Sequence, residues 1–180
     1  LDLALAAAQK GFETWRDTPA IERAKVMRAA AALMRERAGA IARLLTQEQG
    51  KPLAEAKGEV CYGASFLEWF AEEAKRVYGD VIPQTVASRR ILVLKQPVGV
   101  CAAITPWNFP NAMIARKVGP ALAAGCTMVV KPASATPFSA LAMAELAERA
   151  GVPAGVFNVI TGSSGPIGTE LCTNKTVRKV

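Results

Sequence analysis

Histidine is absent from this chain of 180 residues, and its cysteines are few and scattered. The cysteines are Cys61, Cys101, Cys126 and Cys172, and no two of them form a CxxC pair. Because protein zinc sites draw on closely spaced cysteine and histidine ligands, this pattern predicts no metal site. Cys101 and Cys126 lie inside apolar runs, where a free cysteine is typically a small buried hydrophobe.

Long apolar runs are also missing. The longest candidate, residues 120–130, contains Gly125 and Thr127 and is followed by Lys131, whereas a membrane span needs about 20 apolar residues. Asp2 and Lys10 interrupt the first residues, which therefore do not resemble a secretory signal peptide. We predict a cytoplasmic protein with no membrane partner.

The charge is unbalanced, with 22 lysines and arginines against 15 acidic residues, a net charge of +7. A basic chain raises the question of nucleic acid. However, the basic residues alternate with acidic ones, as in ERAKVMR, which is typical of solvated helix faces. No RNA-binding motif or basic aromatic stripe is present, so we expect no nucleic-acid partner and attribute the positive bias to an anionic substrate and cofactor.

Apolar residues at helical spacing predict four helices in the first part of the chain. Their predicted ranges are 1–16, about 19–37, about 39–48 and 52–77. We expect Thr18 to cap the second helix with Pro19 at its first position, and Gly79 to end the fourth.

From residue 81 onward the pattern changes to strands. The segment 81–96 has β-branched residues around a Ser-Arg-Arg turn, which predicts a hairpin. Strands and helices then alternate, which is typical of an α/β fold with a parallel sheet. The predicted strands are 99–104, 126–131 and 156–160, the predicted helices are 110–124, 137–150 and 165–173, and a further strand begins near 176.

Polar residues follow the first three of these strands. They form the segments Thr105-Pro106-Trp107-Asn108, Lys131-Pro132-Ala133-Ser134 and Thr161-Gly162-Ser163-Ser164-Gly165. Since ligands bind beyond the carboxyl ends of parallel strands, we predict that the three segments face one crevice. Asn108 lies between two prolines that stiffen the backbone. Its side chain is suited either to capping a helix start or to donating a hydrogen bond to an oxyanion in the crevice.

The order and spacing of these motifs resemble the aldehyde dehydrogenase superfamily. PWNFP at 106–110, a helix, and KPAS at 131–134 fall in the family's order, and the wider sequence is most similar to NADP-preferring succinate-semialdehyde dehydrogenases. The resemblance covers the whole chain. It implies a helical part of the cofactor domain at 1–79, an oligomerisation hairpin at 80–97 and a partial Rossmann-like NAD(P)-binding region at 98–180. It further implies a homo-oligomer, a dimer or tetramer, acting on a small aldehyde.

The resemblance also implies roles for individual residues. The segment Thr105 to Asn108 would lie at the cofactor, with the amide of Asn108 stabilising the oxyanion. Lys131, with Pro132, Ala133 and Ser134 beside it, would contact the adenosine ribose, and Gly162 and Gly165 would form a glycine loop near the cofactor. Ser134 stands where members that prefer NAD often carry glutamate, so it favours NADP, with NAD also possible.

Each of these residues has a simpler structural interpretation. Lys131 could be a lysine whose stem lies along apolar surface, Ser134 a helix cap, and the GxxGxxG spacing of the glycines an ordinary tight turn. Arg116 could be a solvent-facing helical residue. The matching arginine of succinate-semialdehyde dehydrogenases holds the substrate carboxylate, and eight residues, about two helical turns, would place Arg116 on the same side as Asn108.

The family's nucleophilic cysteine and general-base glutamate have no match in this sequence, so we expect the chain by itself to be inactive. An alternative is a non-catalytic remnant of the same fold that binds nucleotide or partner subunits. A third possibility, a relative that reduces acyl phosphates or acyl-CoA esters, is disfavoured because those relatives generally depart from the PWNFP and KPAS pattern.

Overall fold

The computed structural model describes all residues from 1 to 180 and contains seven helices and six strands. The helices are α1 (Asp2–Trp15), α2 (Ala20–Glu36), α3 (Ala38–Gln49), α4 (Leu53–Ala74), α5 (Ala112–Ala123), α6 (Phe138–Arg149) and α7 (Ser164–Thr173). The strands are β1 (Asp80–Ile82), β2 (Ile91–Val93), β3 (Val100–Ile104), β4 (Thr127–Lys131), β5 (Phe157–Val159) and β6 (Val177–Lys179). The predicted α/β class, with helices first and a parallel sheet after, is confirmed.

The four later strands form one parallel sheet in the order β5-β4-β3-β6. Strands β3 and β4 are paired from Val100 with Thr127 to Ile104 with Lys131. Both strands are almost entirely buried, as expected for parallel strands that are covered by helices on both faces. The carboxyl ends of β3, β4 and β5 therefore lie at one edge of the sheet.

Two hydrophobic clusters cover the two faces of this sheet. Cys101 and Met128 point into a cluster of 32 buried residues shared with α2 to α6. Val100 and Val129, which have the opposite pleat direction, point into a cluster of six buried residues that includes Leu5 of α1 and Leu171 of α7. The result is a three-layer arrangement in which the sheet lies between the helices.

Helix α1 is anchored to the sheet and to α5 through close backbone approach and two long-range hydrogen bonds. Trp15 donates its indole N–H to the carbonyl of Leu122 at 3.0 Å, and the Thr127 hydroxyl donates to the carbonyl of Ala8 at 3.0 Å. A β-carbon added to Gly11 would lie 2.7 Å from the backbone carbon of Gly155. Only glycine allows the helix to approach this turn so closely.

The predicted hairpin is present as β1 and β2, which pair antiparallel from Asp80 with Val93 to Ile82 with Ile91. Its apolar side chains are exposed, including Val81 at 80% and Leu92 at 66%. Such a surface is typical of a contact with another chain.

Three details of the helix boundaries differ from the sequence prediction. The N-cap of α2 is Pro19, and the prediction of Thr18 as the cap is wrong, because the Thr18 hydroxyl donates to the carbonyl of Thr14 instead. Helix α4 ends at Ala74, before Val77. Gly79 does not end it but lies against the hairpin, where an added β-carbon would collide with the carbonyl oxygen of Val93. None of the helices is long and apolar enough to span a bilayer.

Candidate functional site

The ends of β3 and β4 are joined directly beyond the last paired residues. The backbone N–H of Thr105 donates to the carbonyl of Lys131 at 3.1 Å, so the two predicted segments begin side by side. Thr105 is buried, whereas Pro106, Trp107 and Asn108 are exposed. The side chain of Asn108 is thus on the surface at the carboxyl edge of the sheet.

Asn108 does not cap the following helix. Helix α5 begins at Ala112 with Asn111 in the N-cap position, and residues 107–111 are non-helical. The capping interpretation of Asn108 is therefore wrong. The argument that helical spacing places Asn108 and Arg116 on one side of a helix also fails, because only Arg116 belongs to α5.

Lys131 and Ser134 line a cleft of about 290 Å³ between the ends of β4 and β5. The cleft is bounded by Lys131, Pro132, Ala133, Ser134, Pro137, Thr161, Gly162 and Ser163. The cleft brings together five of the ten predicted cofactor residues, whereas the other five, Thr105 to Asn108 and Gly165, lie outside it. No carboxylate lines the cleft. An anionic group attached to a ribose would therefore meet hydrogen-bond donors there and no negative side chain.

The Lys131 ammonium group has polar but no charged partners. It donates to the carbonyl of Pro132 at 2.7 Å and to the Ser134 hydroxyl at 3.2 Å, and Ser134 in turn lies 3.5 Å from the Ser164 hydroxyl. Only 2% of Lys131 is exposed. A lysine held this way is a preformed cation at the cleft rather than a solvated strand end.

Gly162 and Gly165 have different environments. Gly162 has a φ of 139°, a backbone conformation that favours glycine, and an added β-carbon would lie 3.1 Å from Ile167. Gly165 is exposed in the first turn of α7. The turn therefore requires glycine at 162 but not at 165.

Arg116 lines a second cavity, a groove of about 470 Å³ beside β3 and α5. The groove walls are apolar, and the charged side chains that line it are all cationic: Arg116, Lys117 and Lys179. The Arg116 guanidinium lies 5.5 Å from the ring centroid of Phe66 and makes no salt bridge. A cation stacked on an aromatic ring and free of a carboxylate is available to an anion.

Burial closes both Cys101 and Cys126 to a substrate, although the hydrogen bond with Cys101 lowers the pKa of the Cys126 thiol to about 6. The hydrogen bond of Cys101 with Cys126 and its burial both raise the pKa of the Cys101 thiol. Cys101 is 5% exposed and Cys126 is 4% exposed. We assign the reactive thiol to neither of them.

Two carboxylates that were not among the predicted site residues hold the starts of the helices beside the site. Glu48 accepts hydrogen bonds from the backbone N–H groups of Phe138 and Ser139 at 2.7 and 3.0 Å, and Glu59 accepts from those of Asn111 and Ala112 at 2.8 and 3.1 Å. Glu59 stands on the buried side of α4, near Ala56 and Val60. An acidic residue on an apolar helix stripe is the signal that could have identified it, because a buried charge needs partners.

The comparisons with known proteins identify the family. The model of the aldehyde dehydrogenase family matches residues 1–180. The chain belongs to the aldehyde dehydrogenase family. It is 66% identical over 177 residues to the NADP(+) succinate-semialdehyde dehydrogenase GabD of Escherichia coli (strain K12), covering 98% of this chain and 37% of that protein.

Other similar proteins act on related aldehydes according to their names. A glutarate-semialdehyde dehydrogenase of Pseudomonas aeruginosa is 65% identical, with 98% of this chain and 37% of that protein covered. A 3-sulfolactaldehyde dehydrogenase of Pseudomonas putida is 61% identical, with 98% and 36% covered. The crystal structure of an NADP-dependent enzyme of E. coli superposes with a TM-score of 0.96 at 66% identity, covering 97% of this chain and 36% of that one. The chain thus spans a little over a third of the length of these relatives.

The two lysines near the site, Lys131 and the partly buried Lys51, allow a test of their different roles. Lys131 has no carboxylate partner, so Lys131→Met should leave the free energy of unfolding unchanged or raise it. Lys51→Met should lower it by about 3–5 kcal/mol, because it would leave the Glu59 carboxylate buried without its cation. Urea denaturation measures both values, and an equal loss in the two variants would show that Lys131 is a structural residue.

Proposed function

We propose that this chain is the cofactor-binding part of an NAD(P)-dependent dehydrogenase that oxidises a small aldehyde carrying an anionic group, with succinate semialdehyde as the first candidate. The observation that carries the proposal is the groove beside β3, whose charged side chains are three cations. The similar proteins named for succinate, glutarate and sulfolactaldehyde substrates support it, because all three aldehydes are anions.

In this proposal Asn108 stabilises the oxyanion that forms when a nucleophile adds to the aldehyde carbon. Its exposed position at the carboxyl edge of the sheet leaves the amide N–H group available as a donor. A preoriented amide lowers the barrier because it interacts with the negative charge that develops on the oxygen. The nucleophilic thiol and the general base are not assigned to residues of this chain.

Replacing the amide tests this role. In the intact enzyme, Asn108→Ala should lower kcat by about 10²–10³ with little change in the Kd of the cofactor, because one oxyanion donor is lost. Steady-state kinetics and cofactor titration measure the two effects. An unchanged kcat would remove Asn108 from the reaction.

Arg116 is our candidate for binding the carboxylate of the substrate. A guanidinium can form two parallel hydrogen bonds with a carboxylate, and the Phe66 ring restricts its orientation. The same geometry would accept glutarate semialdehyde or a sulfonate. The groove therefore predicts an anionic substrate class rather than one compound.

Removing this cation should affect charged and neutral substrates differently. Arg116→Leu should raise the KM for succinate semialdehyde by about tenfold or more and leave the KM for an uncharged aldehyde such as butanal nearly unchanged. Arg43→Leu, which removes an exposed arginine of α3, is the control. An equal rise for both aldehydes would contradict carboxylate binding by Arg116.

We propose NADP as the preferred cofactor and NAD as a possible one. The cleft at Lys131 and Ser134 fits a phosphorylated ribose, since an ammonium group and a hydroxyl can both donate hydrogen bonds to a phosphate. The bound nucleotide would supply the acceptor for the hydride of the aldehyde. The chain's own contribution is to hold the ribose and its phosphate at the end of β4.

A carboxylate at this position should reverse the preference. Ser134→Glu should weaken binding of NADP by at least about tenfold relative to NAD, because a negative charge beside the 2′-phosphate repels it. Ser88→Glu, in the exposed connection of the hairpin, makes the same charge change away from the cleft. Fluorescence titration with both nucleotides measures the ratio, and an unaltered ratio would refute the assignment of Ser134.

A second candidate function is a non-catalytic remnant that assembles with partner subunits, and the exposed apolar hairpin favours assembly in either case. We propose that β1 and β2 contact a second copy in a homo-oligomer, a dimer or tetramer. The exposed residues Val81, Leu92 and Leu94 support this, because they would be covered in a subunit contact.

A further inference from the structure

A buried ion pair lies directly beneath the Asn108 loop. The ammonium group of Lys51, in the turn between α3 and α4, lies 2.5 Å from a carboxylate oxygen of Glu59, and the side chains are 9% and 1% exposed. The other ion pairs of the helical layer are much more exposed, as in Arg35 with Glu68 at 41% and 44%. Burying both charges is costly unless their remaining hydrogen-bonding groups are satisfied.

Glu59 uses its second oxygen to hold the start of α5. This oxygen accepts from the N–H groups of Asn111 at 2.8 Å and Ala112 at 3.1 Å. Helix α5 has no cap from its own N-cap side chain. The negative charge at a helix N-terminus is favourable, and it fixes the backbone immediately after Pro110.

Lys51 holds the backbone on the other side of Pro110. Its ammonium group donates to the carbonyl of Asn108 at 2.8 Å and lies 4.2 Å from the ring centroid of Phe109. The two members of the ion pair therefore hydrogen-bond the backbone of the loop at both Asn108 and Asn111. The side-chain amide of Asn108 takes no part in these contacts and stays free.

We propose that Lys51 and Glu59 are positioning residues that hold the Asn108 amide in place for the reacting oxygen of the substrate. This inference rests on the proposed role of Asn108. An oxyanion donor acts only if it is already oriented when the charge develops, and a displacement of about 1 Å can cost a factor of about 10² in rate. The contact from Lys51 to the carbonyl of Asn108 restrains the same residue whose amide is needed.

Because Lys51 and Glu59 neutralise each other, the variant that tests this role removes both charges at once. The double variant Lys51→Met/Glu59→Gln leaves no unpaired buried charge, and the Gln carbonyl can still accept from the N–H groups of Asn111 and Ala112. The double variant lacks the hydrogen bond from the Lys51 ammonium group to the carbonyl of Asn108. In the intact enzyme we expect kcat to fall by about tenfold or more, with KM and the Kd of the cofactor within about twofold of the parent.

The decisive measurement repeats this change in an Asn108→Ala background. If the pair acts through Asn108, the neutral pair should lower kcat no further once the amide is gone. The control is Arg35→Met/Glu68→Gln, which neutralises the exposed pair of α2 and α4, joined by two hydrogen bonds of 2.7 Å, and should leave kcat unchanged. Lys51→Arg keeps the charge and the donors and should recover most of the lost rate.

Two results would overturn the positioning role: an unchanged kcat in the neutral-pair variant, or a loss that adds fully to that of Asn108→Ala. If Asn108→Ala itself leaves kcat unchanged, it is the proposed oxyanion role that fails. Amide hydrogen exchange in the unmodified protein tests the geometry without any variant. The backbone amides of Asn111 and Ala112 should exchange at least about tenfold more slowly than those of Trp107 and Phe109. Equal rates would contradict the hydrogen bonds from Glu59 to the start of α5.

Discussion

The register of the parallel ladder between β3 and β4 is the constraint on which the site depends. Ile104 pairs with Lys131, and the next N–H group, that of Thr105, donates to the Lys131 carbonyl. A shift of one strand by one residue would turn its side chains to the opposite face, and a shift of β3, for example, would move Cys101 out of the larger cluster. The cores on the two sides of the sheet therefore fix where the polar residues at its edge begin.

At this edge of the sheet, some helix N-termini bind carboxylates of the protein itself, and others remain available to a ligand. Positive partial charge at the start of a helix attracts anions, and a nucleotide-binding sheet commonly uses it for phosphate. Here the starts of α5 and α6 are already taken by Glu59 and Glu48 from the helical layer. The start of α7 borders the cleft and has no such carboxylate, so an anion there would meet it together with the Lys131 ammonium group and the hydroxyls of Ser134 and Ser164.

Much of this arrangement could be predicted from the sequence because it depends on local patterns. The apolar run of β3, the alternation of strands and helices, and Gly50 after α3 each act within a few residues. The polar segments at the strand ends follow from the parallel topology. Local patterns also led to errors: Thr18 looked like a helix cap, but its hydroxyl bonds to the preceding turn at Thr14.

The rest depends on contacts between residues far apart in the sequence. The bonds from Glu59 to Asn111 and Ala112 cross more than 50 positions, and nothing near Asn111 indicates that its helix is capped from α4. The helical spacing from Asn108 to Arg116 failed because α5 begins only at Ala112 and Asn108 lies outside it. The start of α5 is thus capped by a tertiary contact and not by a residue next to it in the sequence.

Lys51 and Lys131 show why residue type and burial do not by themselves reveal a role. Each is a largely buried lysine that donates to the backbone carbonyl of a residue in a strand-end segment. Lys51 has a carboxylate that balances its charge, and the pair is closed to further ligands. Lys131 has only a carbonyl and a hydroxyl, so its charge is unbalanced unless an anion is bound. A cation that the fold buries without a counter-ion is retained at a cost in stability, and a ligand that supplies the missing negative charge is the simplest reason to retain it.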